Sequence, residues 1–139
     1  MPNWVENTLI IKGFNNQNEV DEFKEKAKTK EEEFQLKKFI PMPIAIKYDY
    51  NQKEEWYDWS LANWGIKWDL SSTALDNEDD FSLEYFFNTP WSPPMKALQK
   101  ISEEYKHLIF LLKYEETGEG YIGISKFEKG KVEDYSITY

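Results

Sequence analysis

A chain of 139 residues has room for one domain with its own apolar core. It contains no cysteine, which excludes disulfides and thiolate metal sites. Its net charge is -9 and all 17 basic residues are lysine, so it repels phosphate backbones and lacks the bidentate reader of guanine; no nucleic acid is expected as a partner. The opening residues, Met1 to Asn7, lack the basic start and apolar run of a secretory leader. The longest apolar run, Leu108 to Leu112, is too short to span a bilayer, so a cytoplasmic protein without a membrane span is expected.

Trp4 to Lys12 alternates as a strand, with Val5, Leu9 and Ile11 on one face. A helix follows over Asn18 to Lys28, where Val20, Phe23 and Ala27 make a buried stripe. Pro41-Met-Pro43 forbids regular structure, and an extended crossing that packs Phe39, Ile40 and Met42 inward is expected there. Lys53 to Asn63 is helical, with Gly65 as its C-terminal cap. Lys67 to Leu70 is read as a short strand reaching towards Ala74, and Leu75 to Asp80 as a turn by composition. Phe81 to Thr89 alternates strongly, placing Phe81, Leu83, Tyr85 and Phe87 on one face. Ser92 is the expected N-cap, ahead of Pro93, for a helix to Lys106. Leu108 to Glu115 is apolar on both faces and therefore central. Thr117 to Gly120 turns into a strand over Tyr121 to Glu128, and Lys129-Gly130 turns into a last one over Lys131 to Tyr139.

This order predicts one α+β domain over residues 1–139: a ferredoxin-like (β-α-β-β-α-β) antiparallel sheet with helices on one face. To it are added an aromatic-rich helical insertion over about 41–70 and a C-terminal β-meander. Several segments also resemble the YubB-like family with a ferredoxin-like domain. They are Met1 to Trp4 with Asn7 to Leu9, Phe39 to Pro43, Trp56 to Trp59, Asn63 to Asp69, Trp91 to Pro94 and Tyr114 to Gly120. The chain departs from that pattern at Val5 and Ile66, where relatives often carry Cys and Thr. The resemblance implies the fold and an origin on phages, plasmids or integrated elements. It implies no catalytic residues.

The candidate site is the aromatic and polar set Trp56, Tyr57, Asp58, Trp59, Asn63, Trp64, Lys67, Trp68, Asp69 and Trp91. One account makes it a second core under the insertion, with indole N–H groups satisfied by backbone. The other makes it a concave pocket, with Lys67 and Asp69 orienting a ligand. Trp68 and Trp91 are expected to be buried and close together. From Asp49 to Pro90 ten acidic residues oppose two lysines, which points to a basic host protein or a small cationic ligand as partner. Glu115, Glu116 and Glu119 flank a glycine-rich turn and could pair for acid/base or metal work, or simply be a solvated tip. His107 is the one histidine, and no phosphate-binding or dinucleotide motif occurs, so no metal or cofactor is expected. Two functions stay open: a non-enzymatic binding module, and a small hydrolase or transferase using carboxylates and Lys67 in the tryptophan-rich cleft.

Overall fold

The computed structural model describes residues 2–46 and 53–139; of Lys53 and Glu54 it describes the backbone alone. Asp49 and the rest of the insertion between 47 and 52 lie outside the described residues. The elements run β1 (Trp4–Lys12), α1 (Gln17–Ala27), α2 (Lys53–Asn63), β2 (Ser71–Glu78), β3 (Ser82–Pro90), α3 (Met95–Glu104), β4 (Ile109–Glu116), β5 (Tyr121–Glu128) and β6 (Lys131–Thr138). Short 3-10 turns at Leu36–Lys38 and Ile44–Ile46 lie in the crossing before α2.

The strands form one antiparallel six-stranded sheet in the order β2-β3-β1-β4-β5-β6. Alternation in β1 sends Val5, Asn7, Leu9 and Ile11 inward, where they meet Leu83, Tyr85 and Phe87 of β3 and Phe110 and Leu112 of β4. Helices α1 and α3 lie on that side. Val20, Phe23 and Ala27 of α1 and Ala97, Leu98 and Ile101 of α3 belong to the same core. Asn16 caps α1, its side chain accepting from the Glu19 amide at 3.0 Å. Phe23 is the hub of the aromatic packing, touching Phe14, Phe34, Phe39, Tyr105 and Phe110. No helix among the described residues is long and apolar enough to cross a membrane.

Three local expectations are corrected. The strand expected at Lys67 to Leu70 begins instead at Ser71 and runs to Glu78, through residues read as a turn. Pairing with β3 supplies the hydrogen bonds that local composition disfavours; of the acidic side chains of this edge, Asp76 is exposed and Glu78 pairs with the Lys24 ammonium at 3.0 Å. Two register shifts, between Ser71 and Ala74 and between Leu75 and Asn77, break the ladder. Phe81 is 60% exposed, because the turn holds it outside β3: its amide and the Ser82 hydroxyl both donate to the Asp79 carboxylate. Ser92 does not cap α3. Pro94 occupies that position without a side-chain bond, and the Ser92 hydroxyl donates to the Gly65 carbonyl at 3.0 Å, tying α3 to the end of α2.

Candidate functional site

The fold divides the ten sequence candidates into scaffold and surface. Gly65, at φ +82°, lets the chain turn after α2 and drives Trp64 inward. Trp64 is 2% exposed; its indole N–H donates to the Ile40 carbonyl at 3.0 Å, and its ring meets Trp59 edge-on at 5.1 Å. Asn63 donates to the Trp59 carbonyl at 2.9 Å and accepts from the Lys100 ammonium at 2.8 Å. One Asp69 oxygen accepts from the amides of Leu36 at 2.7 Å and Leu70 at 2.8 Å, and the other from Lys37 at 3.0 Å. Burial pushes its pKa up, opposed by those three amides. Trp64 thus belongs to the core, and the Asp69 carboxylate is engaged by backbone amides.

Tyr57, Lys67 and Trp68 do come together. The Lys67 ammonium lies 5.5 Å from the Tyr57 ring centre and 5.3 Å from that of Trp68, and Trp4 packs on Trp68 at 6.0 Å. The cation that these rings attract is thus the chain's own lysine. Asp58 is exposed beside them on α2. Trp56 sits edge-on to Tyr57 at 6.1 Å, and its carbonyl accepts from the Ser60 hydroxyl at 2.8 Å. The expected burial of Trp68 and Trp91 is corrected: Trp68 is half-buried, while Trp91 is 47% exposed at φ +70°. Trp91 acts through its backbone, its amide donating to the Asn3 carbonyl and its own carbonyl accepting from the Tyr121 hydroxyl. Glu116, at the glycine-rich turn, is buried and accepts from the amides of Gly118 and Glu119. Among the described residues no group of three His, Cys, Asp or Glu could hold a metal ion.

A broad opening lies elsewhere, on the sheet face turned away from α1 and α3. A trough of about 900 Å³ runs there, lined by β1, β3, β4, β5 and β6. Cross-strand registers lay its side chains in rows. One row reads Phe86, Thr8, Lys113, Ile124, Tyr135. The next reads Glu6, Glu115, Ile122, Ile137. Ile122, Ile124, Tyr135 and Ile137 are 40%, 56%, 71% and 67% exposed, side by side on β5 and β6. A second trough of about 310 Å³ adjoins the first over Ile10, Leu111 and Ile124. Sequence reading did not single out this face, although its signal is present: β4 is apolar on both sides, and α1 and α3 cover one.

A single antiparallel sheet with helices packed on one side defines the α+β class. Residues 63–138 match the family described as the ferredoxin-like domain in Api92-like protein, and the chain belongs to that family. Its fold is similar to the crystal structure of a protein api92 from Yersinia pseudotuberculosis, with a TM-score of 0.59 and 20% identity. That likeness covers 75% of this chain and 39% of the other, so this chain spans well under half the length of that relative. No curated protein matches the chain.

Proposed function

We propose that the protein is a non-enzymatic binding module that acts on a host protein through the acidic, aromatic face of its sheet. The observation that carries this is the set Ile122, Ile124, Tyr135 and Ile137, large apolar side chains exposed together on adjacent strands. Each Å² of apolar surface left in water forgoes about 25 cal/mol, and a contiguous patch of this kind marks an interaction surface. The resemblance to YubB-like proteins of phages and plasmids supports a mobile-element setting in which the partner belongs to the host. The alternative of carboxylate chemistry with Lys67 finds less support, because backbone amides engage Asp69 and Glu116 and aromatic rings hold Lys67.

The test is photo-crosslinking in host lysate, with a photoreactive residue at position 124 or, separately, at position 58. A single protein adduct from 124, lost when Tyr135→Ser is added, is the expected result. An adduct from 58 alone would move the contact to the insertion. No adduct from either position would end the binding reading.

A further inference from the structure

Resting on that reading, we infer that the open face is built for an amphipathic helix that carries lysine or arginine beside its apolar stripe. Glu6 and Glu115 are directly opposed across β1 and β4, both on the open side. Like charges placed opposite each other destabilise a sheet. Among the described residues no ion pair joins either carboxylate to a lysine. The Tyr139 hydroxyl donates to Glu115; along the ladder Asn88 flanks Glu6 and Ile122 flanks Glu115, and Lys113 lies diagonally in the adjoining row without forming an ion pair with either carboxylate. A cation arriving from outside between the two carboxylates would remove the repulsion. The apolar strip of Ile122, Ile124, Tyr135 and Ile137 begins one strand away, so the arriving cation must belong to a molecule that also covers it.

The dimensions favour a helix. β5 and β6 have eight residues each, about 27 Å of strand. A helix of about 18 residues has the same length, and its diameter of about 10–12 Å covers two to three strands. The protein already packs α1 and α3 against the other face in this manner. The overall charge of -9 adds a long-range field that draws basic segments in and turns nucleic acid away.

The probe is a synthetic peptide of about 18 residues with leucine at helical spacing and lysine on the other face, titrated while the isoleucine methyl signals are recorded by NMR. Saturable shifts confined to Ile10, Ile122, Ile124 and Ile137 are expected. Glu6→Gln combined with Glu115→Gln should weaken binding about tenfold or more without lowering the melting temperature, and Ile124→Asp should abolish it. Equal binding of the same peptide with glutamate for lysine, a shift at Ile66 just after α2 in place of those on the open face, or indifference to the double glutamine change would each overturn the inference. So would sedimentation showing the free protein as a dimer through this face, or tighter binding of a single-stranded RNA oligomer. A crosslink from position 124 with no response to the basic peptide would sink this inference and leave the binding module standing; failure of both would remove the two together.

Discussion

The Tyr114 hydroxyl donates to the Asp134 carboxylate at 2.6 Å, reaching from β4 across β5 to the edge strand β6. It can do so because residue 123, between them, is glycine: a Cβ there would fall 2.3 Å from the Tyr114 ring. The Ser125 hydroxyl donates to the same Asp134 oxygen at 2.6 Å, so one carboxylate holds β6 to two inner strands.

Gly123→Ala is therefore expected to destabilise the protein by about 1–3 kcal/mol through overpacking. Tyr114→Phe should cost about 1 kcal/mol through the lost hydrogen bond. Chemical denaturation measures both. Because the two changes act on one contact, the double variant should cost less than their sum.

Stability should fall at high pH. Burial, followed by the Asp134 contact, raises the Tyr114 pKa to about 12; burial and nearby Glu116 raise that of Tyr121 to about 12. A folded-state pKa above the unfolded value favours the protonated phenol in the native state. That contribution is fully present below pH 10 and is lost as pH rises from 10 to about 12. Phenolate absorbance and circular dichroism recorded together should show late-titrating tyrosines and unfolding in that window. A protein whose tyrosines all titrate near pH 10 while it remains folded would contradict this.

Trp64→Ala should cost about 3–5 kcal/mol, for the lost ring and the cavity left behind. Trp91→Ala should change stability by about 0.5 kcal/mol or less, since the ring is exposed and its contacts run through backbone. Melting curves of the two variants separate the buried indole from the exposed one.

Asp69→Asn should cost about 1–3 kcal/mol. The amide keeps an acceptor for Leu36 and Leu70 but sets an NH2 group against the Lys37 N–H. The damage should appear as faster hydrogen exchange at Lys37, with exchange in β4 and β5 unchanged.

Much of the fold was legible because its periodicity was strong. The bounds of β1 and α2 are those the pattern of Trp4–Lys12 and Lys53–Asn63 indicated, and Val20, Phe23 and Ala27 form the buried stripe of α1. β2 was not legible: Asp76, Asn77 and Glu78 favour a turn locally, and only the ladder with β3 makes them a strand. The site was legible in part. Tyr57, Lys67 and Trp68 converge because they flank one turn, but two of the three amides that engage Asp69 lie 32 and 33 positions away and leave no local signal. The open face was hidden for a different reason. Two-sided apolar character in Ile109 to Leu112 indicates a central strand, and sequence spacing does not reveal which side the helices leave bare.

The two margins of the sheet are not equivalent. β2 is kinked twice and exposes Asp76, so it makes a poor template for a further strand. β6 keeps unbroken register from Lys131 to Thr138 and has no proline. With one receptive margin and one blunted, growth by edge pairing ends once two copies have joined back to back; a fibre would need both margins to accept a neighbour.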